Sequence, residues 1–210
     1  TAQRVVFCVD ASASLSTQQF SMIKRELNKS LKKLASSIHY QVIFFSGPAW
    51  FAEDEHSGNK QNHVVKHAGK KYQWKTKGGA SAFYIVGDKE LYTADWLPAT
   101  SSNLAKTRAS IEAESKSYGT DWRHPLRMAL EMKPKPDVVY FLTDGAVSNG
   151  QQAVDQVLKI NKRGKKAKIN TIAMMLPKQG AALLGELADK TGGEFTVVLA
   201  DGTVKNGMKQ

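Results

Sequence analysis

Residues 5–16 read VVFCVDASASLS. The apolar run Val5, Val6, Phe7, Cys8, Val9 stops at Asp10, and oxygen-bearing side chains then recur at every second position, Asp10, Ser12 and Ser14. An unbroken apolar run of this length fits a strand buried on both faces of a parallel sheet. The oxygens that follow have two readings. One is an ordinary turn, because Asp and Ser side chains bond locally to the backbone. The other is a cation site, because a hard divalent cation takes oxygen ligands and one short loop can present several of them.

With 210 residues, 41% of them hydrophobic, the chain is long enough for one large domain with its own core. A formal net charge of +11 and a pI of about 9.6 favour acidic surfaces. Nucleic acid, anionic lipid and acidic protein all fit that charge, and so does a merely solvated lysine-rich surface. Cys8 is the single cysteine, which excludes an intrachain disulfide and a cysteine-based zinc site. Its place in the apolar run makes it an inert core residue. No apolar run approaches the ~20 residues that span a bilayer, and the N-terminus lacks a charged-then-apolar leader pattern. The compartment stays open; the extracytoplasmic part of a membrane-anchored bacterial protein is one setting that fits.

The order of elements follows from the periodicity. In residues 17–37, Phe20, Ile23, Leu27, Leu31 and Leu34 recur at spacings of three and four, which predicts an amphipathic helix capped by Ser16 or Thr17. YQVIFF, residues 40–45, reads as a second buried strand ended by Ser46, Gly47 and Pro48. Strand, helix and strand make a βαβ unit, and hence a parallel sheet. Helices are expected over 103–117, from near Pro125, over 153–163 and over 180–191. Strands are expected at DVVYFLTDG (137–145), KINTIAMML (168–176) and GGEFTVVL (192–199), and residues 201–210 read as a loose tail. The predicted fold class is α/β, a Rossmann-like doubly wound, mostly parallel sheet flanked by helices. Glycine- and proline-rich residues 47–99 form an insertion after the second strand, within a single domain spanning 1–210.

Three segments put oxygen-bearing side chains beside buried strands: DASAS (10–14), GTD (119–121) and LTDG (142–145). Open α/β sheets bind ligands beyond the carboxyl ends of the strands, where strand order reverses. If the strands ending at Asp10 and Asp144 are central neighbours, both acids share that rim and a loop carrying Thr120 closes over them. Two aspartates with neutral hydroxyls suit a hard divalent cation such as Mg²⁺, and no cysteine or suitably spaced histidine pair points to zinc.

DASAS matches the D-x-S-x-S motif of von Willebrand factor A domains, YGTD resembles their threonine loop, and LTDG their second aspartate. Together these make that family's metal-ion-dependent adhesion site. The resemblance covers roughly residues 3–199 apart from the insertion, and includes the closing LLGELADKTGGEFTVV. It implies a metal held by Asp10, Ser12, Ser14, Thr120 and Asp144. Ser12 and Ser14 would ligate through hydroxyls, Thr120 directly or through water, and the aspartates mainly through water. The metal would be Mg²⁺, or Mn²⁺ or Ca²⁺. A partner's Asp or Glu would take the vacant position. Ala13 and Leu15 stand where the family often has glycine and methionine, and neither removes a ligand. Asp121 reads as support behind the ligands or a helix cap, and His124 as a rim or surface residue.

The resulting expectation is a monomeric, non-enzymatic, metal-dependent protein-interaction module of the adhesion or scaffold kind. Two alternatives stand beside it. The lysines of residues 56–77, interleaved with Tyr72 and Trp74, and the basic stretch KRGKKAK (162–168) suit nucleic-acid binding. A Mg²⁺-dependent phosphohydrolase would also use two aspartates, but no nucleophile sits beside a base and Ser12 stands two residues after Asp10, where aspartate-based phosphatases carry a second acid. Trp50, Phe51, Trp74 and Trp96 read mostly as a small core for the insertion. His63 and His67 would pair on a metal only in a helix, so no second metal site is predicted.

Overall fold

The computed structural model describes residues 2–87, 90–175 and 180–207. Strand β1 (Arg4–Asp10) lies at the centre of an eight-stranded sheet with the order β12-β11-β10-β9-β1-β2-β3, and β8 also pairs with β2. β2 (His39–Phe45), β9 (Val138–Thr143), β10 (Lys168–Met174) and β11 (Phe195–Val198) run parallel to β1. β3 (Ala49–Phe51), β8 (Leu97–Pro98) and β12 (Val204–Asn206) are antiparallel additions at the edges. Residues 204–206 of the expected tail are therefore paired, while the end of that tail and Leu176 of the expected strand over 168–176 lie outside the described residues.

Among the described residues, five helices cover the sheet. α1 (Thr17–Lys32) packs with α2 (Ser101–Ala113), while α3 (Arg123–Glu131), α4 (Gly150–Asn161) and α5 (Ala181–Thr191) form a second group. α1 begins with a capping box: the Ser16 hydroxyl accepts from Gln19 N, and the Gln19 side chain accepts from Ser16 N. Its buried stripe of Phe20, Ile23, Leu27 and Leu31 faces the sheet, and each such side chain contributes about 2 kcal/mol by leaving water. α2 starts earlier than its apolar pattern suggests, because the Thr100 hydroxyl accepts from Asn103 N.

The chain between β2 and α2 departs from the βαβ rhythm. Its first and last parts pair with β2 as β3 and β8. Between them β4 (Glu55–Gly58), β5 (Asn62–His67), β6 (Lys70–Thr76) and β7 (Phe83–Ile85) form a separate antiparallel sheet. The inward face of that sheet places Val65, Trp74 and Phe83 in the same hydrophobic cluster as Trp50 and Phe51 of β3. His67 donates to Asp54, 2.7 Å away, and Tyr72 packs on Tyr92. His63 and His67 lie on a strand, one inward-facing row of a pleated sheet, rather than on one helix face.

Candidate metal centre

The reversal of strand order at β1 and β9 places the two acids. From β1 the chain builds outward through β2 on one side and through β9, β10 and β11 on the other. Asp10 is the last residue of β1, and Asp144 follows β9 directly. This is the switch-point crevice of an open α/β sheet.

Each oxygen is aimed by local bonds. Asp10 is buried, and its carboxylate accepts from Ser12 N at 2.8 Å and from the Thr143 hydroxyl at 2.7 Å. Those two bonds fix the plane of the carboxylate and turn the serine loop back over the strand end. Ser12 Oγ lies 2.9 Å from Ser14 Oγ, and Ser14 Oγ donates to Asp144 Oδ2 at 3.1 Å. The other Asp144 oxygen accepts from Ala146 N at 2.9 Å. The serine loop is pinned by backbone as well: Ala13 N donates to Ser117 O at 2.7 Å, and Ser117 N donates to Ala11 O at 2.8 Å. The structure thus brings Asp10, Ser12, Ser14 and Asp144 into one hydrogen-bonded group.

Among the described residues Thr120 makes no hydrogen bond to that group; it lies on a separate loop with three attachments. Its N–H donates to Ala80 O at 2.9 Å, its carbonyl accepts from the Ser81 hydroxyl at 2.7 Å, and the next N–H, of Asp121, donates to Ser46 O at 2.9 Å. The turn requires Gly119, whose φ is +89° and where a Cβ would lie 2.5 Å from Ala80 O. Ser81 also touches Ser148 of the Asp144 loop at 2.5 Å, and its carbonyl accepts from Arg123 and Asn149. The β6–β7 turn of the second sheet therefore joins the threonine loop to the second-aspartate loop.

Asp121 and His124 find their partners outside the serine loop. The buried Asp121 carboxylate accepts from Arg123 N at 3.0 Å, which starts α3, and forms a bidentate pair with the Arg123 guanidinium. His124 Nε2 donates to Phe83 O at 2.8 Å, and its ring packs edge-on against Trp74. Burial pushes the His124 pKa down, and the nearby Asp121 charge opposes this.

Sequence reading assigned no site role to Thr143 or Ser81. Thr143 was legible in principle, since it precedes the second aspartate and follows the apolar strand. Ser81 was not, because nothing local says where a turn of the inserted sheet will land.

The electrostatics favour a cation. Burial, and then the Asp144 charge, push the Asp10 carboxyl up to about 6, against the hydrogen bonds from Ser12 and Thr143 that lower it. Two carboxylates held this way repel unless positive charge lies between them. The donors are hydroxyl and carboxylate oxygens, the chemistry that Mg²⁺, Mn²⁺ and Ca²⁺ accept. Among the described residues no group of three or more His, Cys, Asp or Glu forms a metal cage, so hydroxyls would have to complete any shell here.

Comparison with solved structures agrees with the topology. A von Willebrand factor type A protein from Catenulispora acidiphila superposes with a TM-score of 0.65 at 13% identity, over 94% of this chain and 39% of that one. The proximal thread matrix protein 1 of the mussel byssus, with a zinc-occupied adhesion-site motif, gives 0.56 at 15% identity, over 99% of this chain and 48% of that one. The manganese-loaded TRAP protein of Plasmodium vivax gives 0.54 at 11% identity, over 94% and 68%. This chain thus spans less than half the length of the first two of these relatives. No family model and no curated protein matches by sequence. The fold is that of the von Willebrand factor A domain.

Proposed function

We propose that the chain is a divalent-cation-dependent protein-interaction module in which Asp10, Ser12, Ser14, Thr120 and Asp144 hold the cation and a carboxylate from a partner completes its coordination. The observation that carries this reading is the convergence of two aspartates and two serines at the switch point, with Asp10 raised to about 6 by burial and by Asp144. Mg²⁺ is the expected ion, with Mn²⁺ or Ca²⁺ able to replace it. The zinc- and manganese-bearing relatives support a divalent site of this kind.

The bound ion supplies a Lewis acid to which an external carboxylate binds. The residues of the chain do the rest. Asp10 and Thr143 hold the serine loop in shape, Ser12 and Ser14 offer uncharged oxygens, and Asp144 faces them from the loop after β9. A donor set with few directly bound anions leaves net positive charge for the partner. Ser12, two residues after Asp10, brings no second carboxylate to the loop, which favours binding over phosphoester hydrolysis. Among the described residues no helix is long and apolar enough to cross a membrane.

The test is calorimetric titration with Mg²⁺ and Mn²⁺ of the wild-type chain and of the Asp10→Ala/Ser12→Ala variant. Saturable binding of one ion by the wild type, lost in the variant, is expected. Equal affinity in both proteins would refute the assignment.

A further inference from the structure

We propose that the site-facing end of the inserted sheet is a second anchor, which binds an acidic residue flanking the carboxylate that the metal centre receives; this rests on the metal-dependent reading above. In an antiparallel meander the β4–β5 and β6–β7 turns emerge at the same end. Both lie against the threonine loop. Lys60 of the first turn stands 6.0 Å from the Tyr118 ring, and Ala80 of the second accepts from Thr120 N at 2.9 Å. Between the turns is a shallow, solvent-open recess of about 280 Å³ lined by Gln61, Asn62, Lys75, Thr76 and Gly78.

Its charge is of one sign. Residues 56–87 contain six lysines and no Asp or Glu. The acid nearest in sequence before this stretch, Glu55, starts β4 at the opposite end of the sheet and pairs with Lys66 at 2.8 Å. Among the described residues Lys60, Lys75 and Lys77 enter no ion pair, so their charge is available to a ligand. Only Gly78 and Gly79 separate Lys77 from Ala80 and Ser81, which bond to the Thr120 backbone. A polypeptide that reaches the threonine loop from this side would therefore pass the turn next to Lys77 and the ring beside Lys60.

The lining suits an acidic polypeptide, and the covered aromatic faces count against nucleic acid. Gln61, Asn62 and Thr76 give the recess amide and hydroxyl donors that pair with carboxylates and peptide groups. Base stacking needs open aromatic faces. Trp74 is fully buried, Tyr72 packs against Tyr92 with ring centroids 4.4 Å apart, and Lys77 lies over the exposed Tyr84 at 5.1 Å.

The experiment uses two labelled peptides that share one aspartate and differ only in whether three glutamates or three glutamines follow it. Fluorescence anisotropy is read with Mg²⁺ at low and high salt, for the wild type, Lys75→Gln/Lys77→Gln and Asp10→Ala. The wild type should prefer the glutamate peptide by roughly 3- to 30-fold at low salt, the range expected of two exposed charge contacts, and less at high salt. The lysine variant should lose that preference to within about two-fold while keeping its Mg²⁺ dependence. An unchanged preference in the lysine variant, or none in the wild type, overturns the second anchor. Loss of preference in the lysine variant together with indifference to Mg²⁺ and to Asp10→Ala would keep the anchor and refute the metal reading. Tighter, Mg²⁺-independent binding of an oligo-dT probe, abolished in the lysine variant, would make the recess a nucleic-acid site and overturn the proposal.

Discussion

Acidification should weaken this fold through His63, a buried histidine between the inserted sheet and the main domain. His63 is 2% exposed on β5. Its Nε2 lies 3.2 Å from His56 Nδ1, and its Nδ1 lies 3.3 Å from the hydroxyl of Ser117, whose backbone pins the serine loop. His56 in turn meets Glu114 at 2.9 Å, and Trp50 Nε1 donates to the same carboxylate at 3.0 Å. The Trp50 ring stacks on both imidazoles. Burial, and then the neighbouring His56, lower the His63 pKa to about 4, while Glu114 opposes the shift.

For a histidine whose folded pKa lies below its unfolded value, protonation favours the unfolded chain. The stabilisation is complete above the unfolded pKa of about 6.5 and is lost as pH falls toward 4. A drop from 6.5 to about 4 corresponds to about 3 kcal/mol, with a slope no steeper than roughly 1.4 kcal/mol per pH unit. Glu114 adds acid sensitivity of the same sign. Burial raises its pKa, but bonds from His56, Trp50 and Ser115 outweigh that and leave it lowered. Urea unfolding followed by circular dichroism at pH values from 7 to 4 measures the slope. His63→Gln, which cannot titrate, should start about 1–2 kcal/mol less stable because ring packing is lost, and should then lose stability less steeply. Parallel slopes in the two proteins would refute the reasoning.

Three further outcomes are expected. Gly119→Ala puts a methyl group 2.5 Å from Ala80 O at a φ of +89°, and should cost about 1–3 kcal/mol of stability, read as a lower melting temperature, and weaken Mn²⁺ binding. Arg123→Gln leaves the buried Asp121 carboxylate without its guanidinium and should cost about 2–4 kcal/mol; adding Asp121→Asn should recover part of it, as a double-mutant cycle in urea will show. Ser81→Ala removes the bond to the Thr120 carbonyl and the contact with Ser148, and should lower Mn²⁺ affinity by about 3- to 10-fold in calorimetry, with little change in melting temperature.

The main sheet was legible because its strands carry their burial in their composition. VVFCV and YQVIFF read as two-sided burial, and they pair residue for residue from Arg4 with His39 to Asp10 with Phe45. α1 was legible from its three-and-four spacing and from Ser16 or Thr17 as a cap, of which the structure uses Ser16. The edge strands were not: β3, β8 and β12 are two to three residues long and lie in stretches rich in glycine, proline or polar residues. Short edge pairings leave little trace in composition, because the partner strand supplies half of each pair.

The chain's order of residues determined which side chains could serve at the centre: an acid and two hydroxyls at alternate positions after a buried strand, a threonine in a glycine turn, and an acid ending another buried strand. Local spacing sufficed there, since a strand end and the loop after it aim their own side chains. Tertiary structure alone decided that β1 and β9 are neighbours, so that Ser14 meets Asp144 across 130 positions of sequence. It alone decided that Thr143 orients Asp10, and that the turn carrying Ser81 lands between the loops of Thr120 and Ser148. Such contacts depend on the packing of whole sheets against each other, which no local pattern records.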